Sequence, residues 1–263
     1  MPVKVKSRIL YAICAAILVA VFAIGLCACN KEQSPYASDN AFEIEISDSE
    51  DALVFAPKGF SYTYGVIFYV GALVEPTYYS YLGEALAKQG YLAVFPKIDG
   101  NNAYNNYTES EPALEKYKKV KFFIAGHDFG GGAAVRRASE NVGAIGVMLY
   151  APLGFAKQKF DENGKLEYDD DGNVVWEHYS IAGLSIPTLL VETDDALRTE
   201  DLKLAATQHT DASSTEIVLL TNSDSISFSS IDAFSSLTEE QRSAQRENTL
   251  NHTLSFLKKV VCG

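Results

Sequence analysis

A single acidic residue, Asp128, lies at the centre of the segment GHDFGG, which spans residues 126–131. The mostly apolar run before it, residues 120–125, is typical of a buried strand, and residues 131–140 after it are typical of a helix. A strand, a Gly-x-nucleophile-x-Gly turn and a helix together indicate a nucleophile elbow. The usual residue at the middle of such a turn is Ser, and this chain has Asp.

An Asp at this position predicts a chemistry different from that of Ser. A Ser hydroxyl needs a base before it attacks, whereas a carboxylate is already ionised at neutral pH and can attack an electrophilic carbon directly. The ester that forms must then be hydrolysed, and that step needs a base to activate water. Asp also tolerates a left-handed backbone, so Asp128 could instead preserve the turn in a chain that has lost its activity.

The elements that must position Asp128 are read from apolar runs that alternate with helical patterns. This alternation predicts a mostly parallel sheet with helices on both faces, and the first two strands predict an antiparallel hairpin at its edge. Residues 101–108 are polar and predict a loop. The predicted strands are residues 42–46, 52–56, 65–71, 91–96, 120–125, 144–150, 188–192 and 216–220, and the predicted helices are residues 76–89, 111–119, 131–140, 196–208 and 239–259.

One segment, residues 157–185, interrupts the alternation of strands and helices. It contains Asn-Gly and Asp-Gly pairs at residues 161–164 and 169–173, which favour hairpin turns between short β-prone runs. The segment could form a lid over the ligand edge of the sheet or a solvated excursion. Its acidic loops suggest calcium, but their spacing fits no EF-hand, so no metal site is predicted.

A second motif precedes the elbow and carries a family resemblance. The segments GALVEPTYYSYL, residues 71–82, and ALAKQGYLAV, residues 85–94, resemble the Gly-Gly-x-Val-x-x-x-x-Tyr-x-x-Leu…Leu-Ala-x-x-Gly-Tyr pattern of the fold-5, dienelactone-hydrolase-like branch of the alpha/beta-hydrolase superfamily. With the elbow, the resemblance covers about residues 64–259, and the segment 157–185 matches poorly. It implies the α/β-hydrolase fold.

The resemblance also implies which groups form the site. The oxyanion-binding N–H groups would belong to Ala72, or neighbouring Gly71, and to Phe129, which follows the nucleophile. Gly126 and Gly130 would keep the sharp turn sterically possible. The segment GHDFGG also resembles the elbow of epoxide hydrolases and haloalkane dehalogenases, in which Asp is the nucleophile.

The other two members of the family's triad depart from the pattern. The acid expected after strand 188–192 would be Asp195, with Asp194 as the second choice. The His expected in the segment NSDSISF, residues 222–228, is replaced by Ser225, whereas Phe228 keeps the register. Asp128, Asp195 and Ser225 are therefore the predicted catalytic positions.

None of the four His residues occupies the expected place of the base. His127 adjoins the nucleophile and is expected to pack or to make a local hydrogen bond. His178 could reach the site only if residues 157–185 form a lid. His209 is expected at the wrong edge of the sheet, and His252 on the closing helix.

The N-terminal residues predict export and anchoring. Lys4, Lys6 and Arg8 precede an apolar stretch at residues 9–25, which is typical of a signal peptide. Residues 26–29, LCAC, resemble the lipobox of bacterial lipoproteins, in which Cys29 would become the lipidated, palmitate-carrying terminus. We therefore expect a signal peptide at residues 1–28, an anchor and tether at residues 29–40, and an α/β-hydrolase domain at residues 41–263. An uncleaved signal-anchor helix over residues 9–28 is the alternative.

Composition narrows the possible functions. The 263 residues carry a formal net charge of −12 and show no basic patch, which argues against a nucleic-acid partner. Of four Cys, only Cys262 would remain unmodified in the mature domain, so neither a disulfide framework nor a metal cluster is predicted. No cofactor is predicted. We expect a membrane-anchored, extracytoplasmic hydrolase acting on a small ester- or epoxide-like substrate, or an inactive relative that binds a ligand or partner at the cell surface.

Overall fold

The computed structural model describes residues 41–140, 143–153, 156–159, 161–169, 172, 174–178, 186–194 and 215–262. The predicted signal peptide and tether, the predicted helix 196–208, Asp195 and His209 lie outside these residues. Within the described ranges, no helix has both the length and the apolar character needed to cross a membrane.

A mixed eight-stranded sheet forms the centre of the domain. Its spatial order is β1-β2-β4-β3-β5-β6-β9-β10; β1 and β2 pair antiparallel, as do β2 and β4, and the remaining neighbours are parallel. Two further short strands, β7 and β8, form a separate antiparallel pair. The strands are β1 Ile44–Asp48, β2 Ala52–Pro57, β3 Tyr64–Tyr69, β4 Leu92–Pro96, β5 Lys121–His127, β6 Gly146–Tyr150, β7 Ala156–Gln158, β8 Trp176–His178, β9 Thr188–Thr193 and β10 Thr215–Leu220.

Helices cover both faces of this sheet. The α-helices are α1 Ser80–Lys88, α2 Ala103–Asn106, α3 Glu111–Lys116, α4 Phe129–Ser139 and α5 Glu239–Cys262. Because successive strand residues point to opposite faces, Phe68 of β3 joins the core under α1 and α5, and its neighbour Ile67 joins the core under α4. The central strands are buried on both faces, which explains their continuous apolar sequences.

The predicted architecture is confirmed: the sheet is mostly parallel, helices lie on both faces, and β1 with β2 forms the antiparallel N-terminal hairpin. The predicted helix 76–89 is divided into a 3-10 turn, Pro76–Tyr79, and α1.

The loop predicted at residues 101–108 is wrong. These residues form α2 and the beginning of a 3-10 turn, Tyr107–Ser110. The Asn102 side chain caps α2 by accepting a hydrogen bond from the Asn105 N–H, and Ala103 and Tyr107 are buried in the core.

The interrupting segment contains a β excursion in the residues described. Strands β7 and β8 pair Ala156 with His178, and a further bridge joins Tyr168 to Val174. Asp161 shapes the first turn, since its carboxylate accepts from the N–H groups of Asn163 and Lys165.

Candidate active site

Asp128 occupies a sharp corner between β5 and α4. Its backbone has φ 54° and ψ −130°, a conformation that L-residues rarely adopt. The Asp128 N–H donates to the Tyr150 carbonyl at 3.1 Å, and the Asp128 carbonyl accepts from the N–H groups of Gly131 at 2.9 Å and Leu153 at 2.8 Å. Two of these hydrogen bonds hold the strained residue against β6 and the segment that follows it, and the third ties it to the first turn of α4.

The two glycines that flank the corner have no space for a side chain. A Cβ on Gly126 would lie 2.1 Å from the Gly130 carbonyl oxygen, and a Cβ on Gly130 would lie 2.3 Å from the Tyr69 carbonyl oxygen. Both contacts are with backbone atoms, which cannot move aside without displacing β3 or α4. The close approach of β3, β5 and α4 thus requires glycine at both positions.

One backbone N–H contacts the carboxylate of Asp128, and a second lies next to this residue in the chain. The Ala72 N–H, from the loop after β3, donates to Asp128 Oδ2 at 3.2 Å. Phe129 is the first residue of α4, so its N–H has no acceptor within the helix. The positive end of the α4 dipole also favours negative charge here. Of the two predicted oxyanion donors, the Ala72 N–H thus contacts the Asp128 carboxylate, and Phe129 follows Asp128 at the start of α4.

His127 is engaged at both ring nitrogens by groups other than Asp128. Its Nδ1 lies 2.7 Å from the Tyr79 hydroxyl, and its Nε2 lies 2.8 Å from the Ser225 carbonyl oxygen. The Tyr79 hydroxyl also accepts a hydrogen bond from the Gly71 N–H at 3.1 Å. These four groups form a buried relay that joins the loop after β3, the elbow and the segment after β10.

The relay determines which tautomer His127 adopts. Burial raises the pKa of Tyr79 above its ordinary value, so the hydroxyl keeps its proton. The Ser225 carbonyl can only accept, so His127 Nε2 carries the proton that is donated to it, and the Tyr79 hydroxyl can donate its own proton to Nδ1. Both ring nitrogens are thus engaged by the relay, and neither is directed to activate water at Asp128.

The segment after β10 is organised by a second carboxylate, Asp224. Asp224 is buried and accepts hydrogen bonds from the Ser227 N–H at 2.8 Å, the Ser235 hydroxyl at 2.6 Å and the Ser236 N–H at 3.2 Å. These bonds fix the loop that presents Ser225 to the same pocket as Asp128. Ser225, at the position where the resemblance predicts a His, therefore lines this pocket.

The carboxylate of Asp194 supports the turn after β10. It accepts from the N–H groups of Asn222 and Ser223, each at 3.0 Å, and from the Ser223 hydroxyl at 3.2 Å. Partial burial raises its pKa, but these hydrogen bonds outweigh burial and hold the pKa below its ordinary value. Both oxygens of this second-choice acid are thus engaged by the turn, and the first choice, Asp195, lies outside the described residues.

Asp128 opens into a pocket of about 340 Å³. Apolar side chains form most of its wall, and Asp128 is the charged side chain among the residues that line it. The apolar wall consists of Leu73, Val74, Ile226, Ile231 and Phe234. A carboxylate in an apolar cleft suits a small, largely apolar molecule with one electrophilic atom.

Two other predicted histidines lie elsewhere in the chain. His252 lies within α5 and is not among the described residues that line this pocket, and the backbone of His178 forms part of β8. In the part of the chain that the structure describes, no group of three His, Cys, Asp or Glu side chains could hold a metal ion.

Sequence reasoning missed Tyr79 and Asp224. Tyr79 is fully buried whereas its neighbour Tyr78 is exposed, and no local pattern separates the two tyrosines. Asp224 lies in the segment singled out for the missing His, but its buried contacts depend on residues 227–236 folding back.

Comparisons with known proteins agree with this architecture. A model of the alpha/beta hydrolase family matches residues 65–185. A presumed hydrolase from Agrobacterium vitis S4 shares 16% identity with a TM-score of 0.53, covering 80% of this chain and 99% of that one. A presumed dienelactone hydrolase from Klebsiella pneumoniae subsp. pneumoniae MGH 78578 shares 17% identity with a TM-score of 0.53, covering 81% and 98%. No curated protein sequence matches.

The topology, the elbow and these similarities define the class: the chain has the α/β-hydrolase fold. The matched family segment runs from β3 through the elbow into the β excursion.

Proposed function

We propose that this protein is a hydrolase-like member of the alpha/beta hydrolase family in which Asp128 attacks a small ester- or epoxide-like substrate. One observation carries the proposal: the Asp128 carboxylate stands on a strained elbow inside an apolar pocket, with Oδ2 held by the Ala72 N–H. A carboxylate held through one oxygen presents the other, Oδ1, to a bound electrophile.

The first chemical step needs no base. With an epoxide, Asp128 Oδ1 bonds to a ring carbon, the carbon–oxygen bond of the ring breaks, and the released alkoxide takes a proton from water. With a reactive ester or lactone, the same oxygen attacks the alkyl carbon and the carboxylate leaves. In both cases the product is an ester of Asp128.

The second step is hydrolysis of that ester, and this site supplies only part of what the step requires. When water attacks the Asp128 carboxyl carbon, negative charge develops on Oδ2, where the Ala72 and Phe129 N–H groups can stabilise it. The water itself needs a base, and His127 is engaged by Tyr79 and Ser225. We therefore expect the covalent ester to form faster than it is hydrolysed.

A second candidate function is a non-catalytic relative that binds a ligand or partner at the cell surface. A different observation favours it: His127 is engaged by the relay, and Ser225 stands where the resemblance predicts the base. In this case Asp128 is a polar group in a binding cleft and maintains the turn.

Intact-mass analysis after incubation with 1,2-epoxyhexane distinguishes the two candidates. Attack by Asp128 predicts a mass gain of one epoxide molecule, which is absent from Asp128→Asn and retained in Asp232→Asn, an exposed carboxylate control. A persistent adduct with little diol indicates slow hydrolysis, and diol without an adduct indicates full turnover. Neither adduct nor diol, across a panel of epoxides and esters, would favour the binding function.

Cys29 carries the further proposal that the mature domain is lipid-anchored at the extracytoplasmic face of the cell membrane. Support comes from the charged start, the apolar stretch and the LCAC motif of the sequence. Metabolic labelling with a palmitate analogue should modify the wild-type protein and not Cys29→Ser. Labelling of both proteins, or of neither, would contradict this proposal.

A further inference from the structure

A second hollow, of about 520 Å³, adjoins the Asp128 pocket and differs from it in chemistry. The two cavities share Ala72 and Leu73 in their walls. Asparagine side chains and two aromatic rings form most of the second wall, which we call the asparagine hollow: Asn101, Asn102, Asn105, Asn106, Tyr104 and Phe129.

Three of the four side-chain amides in the asparagine hollow are available to a ligand. Asn102 uses its side-chain oxygen to cap α2. The side chains of Asn101, Asn105 and Asn106 make no hydrogen bond to any other residue in the part of the chain that the structure describes. Each carboxamide offers two donors and one acceptor oxygen, so three adjacent amides can serve groups that both donate and accept.

Aromatic rings form another part of the wall. The rings of Tyr104 and Phe129 meet edge to face, with centroids 5.7 Å apart and planes at 68°. Phe129 keeps 40% of its surface exposed, although it begins the helix that follows the nucleophile. The exposed ring of Phe129 provides an apolar surface for the C–H face of a ligand.

The charge of the hollow narrows the ligand class. Asp99 is the charged residue among those that line it, and no Lys or Arg among the described residues contributes to its wall. An anionic group such as phosphate would therefore find no cation in this wall to pair with. Hydroxyl groups, which donate and accept, on an apolar carbon ring satisfy both the amides and the aromatic pair.

Leu73 lies between the two cavities as a ridge. Its side chain is 84% exposed and its backbone adopts φ 62°, an uncommon conformation for a leucine. The Leu73 N–H donates to the Asn101 carbonyl at 3.1 Å, which ties the ridge to the asparagine hollow. A molecule that crosses Leu73 would pass the Ala72 N–H and the Asp128 carboxylate.

We propose that the asparagine hollow binds a neutral, hydroxyl-rich, sugar-like group. The hollow binds this group independently of any reaction. Its use as a substrate subsite, with an electrophilic carbon at Asp128 and an apolar part beyond Leu73, rests on the proposed function.

Binding of cellobiose to the full-length protein, measured by calorimetry, tests the hollow alone. We expect a dissociation constant of about 1 mM, typical of a small polar ligand that binds at about −4 kcal/mol. The double variant Asn105→Ala, Asn106→Ala should weaken binding at least about tenfold. The control Asn163→Ala, in the β excursion, should leave it unchanged. Absence of cellobiose binding, or tighter binding of glucose 6-phosphate or glucosamine, would overturn the proposal.

A matched pair of epoxides tests the subsite. We expect 2,3-epoxypropyl β-D-glucoside to label Asp128 at least about tenfold faster than 2,3-epoxypropyl butyl ether, and the double asparagine variant to bring this ratio close to one. Cellobiose binding without labelling by either epoxide would refute Asp128 as the nucleophile and leave the hollow standing. Equal labelling rates without cellobiose binding would refute the hollow and leave the nucleophile standing.

Discussion

Tyr79→Phe tests the buried relay that fixes the walls of the site. The substitution keeps the ring, which packs on Phe68 with centroids 5.0 Å apart, and removes only the hydroxyl. That hydroxyl accepts from the Gly71 N–H at 3.1 Å and lies 2.7 Å from His127 Nδ1. Its loss leaves one donor and one acceptor without their partner in a fully buried region.

The cost follows from these two groups. A buried polar group left without its hydrogen bond costs about 1–3 kcal/mol, so the two groups that Tyr79→Phe leaves unpaired should lower the free energy of unfolding by about 2–6 kcal/mol. For a domain of this size, each kcal/mol corresponds to about 2–4 °C, so a loss near 3 kcal/mol should lower Tm by about 6–12 °C.

The assay is urea denaturation followed by circular dichroism, with Tyr81→Phe as the matched control. Tyr81 also loses one hydroxyl, but that group donates only to the Phe228 carbonyl at 2.9 Å. We expect the control to lose about 1 kcal/mol. Equal losses in the two variants, or a loss below about 1 kcal/mol for Tyr79→Phe, would refute the relay as described.

Three further variants address the elbow, the turn after β10 and the missing base. Gly130→Ala should prevent soluble expression, because its Cβ would lie 2.3 Å from the Tyr69 carbonyl oxygen. The control Gly59→Ala has no atom within 4 Å of its Cβ, but its φ of 69° should lower the free energy of unfolding by about 1–2 kcal/mol in a urea titration. The pKa of Asp194 is lower in the folded protein than its ordinary value of 3.8, so its contribution to stability is present above pH 3.8 and is lost as the pH falls through the folded-state pKa. In Asp194→Asn, the free energy of unfolding should therefore decrease less between these two pH values, which acid denaturation curves measure. Asp128→Ser alone should not hydrolyse p-nitrophenyl acetate. The double variant Asp128→Ser, Ser225→His should hydrolyse it at least about 10²-fold faster than Asp128→Ser. Equal hydrolysis rates in the two variants would show that residue 225 cannot serve as the base.

The parallel sheet could be predicted because its strands are buried on both faces. Segments such as Leu92–Pro96 and Gly146–Tyr150 must be apolar throughout, and such runs are visible without any tertiary information. The elbow was equally visible, since β3, β5 and α4 approach so closely that two glycines are required at fixed spacing. In both cases a local constraint determines which residue types can occupy the segment, so the segment can be recognised in the sequence.

Other features depend on contacts between residues far apart in the chain, and no local sequence pattern predicts them. Helix α2 forms in a polar segment because a single Asn cap and two buried side chains, Ala103 and Tyr107, stabilise it. The His127 tautomer depends on Tyr79, which is 48 residues away, and on a carbonyl 98 residues away. The left-handed Leu73, a leucine with no glycine-like signal, was also not predictable.

The relay explains how a site of this class can keep its shape without the expected base. In the family pattern that this sequence resembles, a His in the segment after the last strand would reach towards the nucleophile. Here the contact runs in the opposite direction, because His127 on the elbow strand donates through Nε2 to the carbonyl of Ser225 in that segment. The distance between elbow and loop is therefore maintained by an imidazole that cannot also activate water.

This arrangement separates the two halves of a carboxylate-nucleophile reaction. In the proposed reaction, the attacking group Asp128 and the Ala72 N–H that holds it are positioned by backbone geometry and do not depend on a base at residue 225. Ser225 stands where the resemblance predicts the base, and a hydroxyl does not take a proton at neutral pH; its carbonyl only accepts a hydrogen bond from His127. The protein should therefore form the covalent bond more readily than it breaks it, and the ratio of adduct to diol after exposure to 1,2-epoxyhexane measures this difference directly.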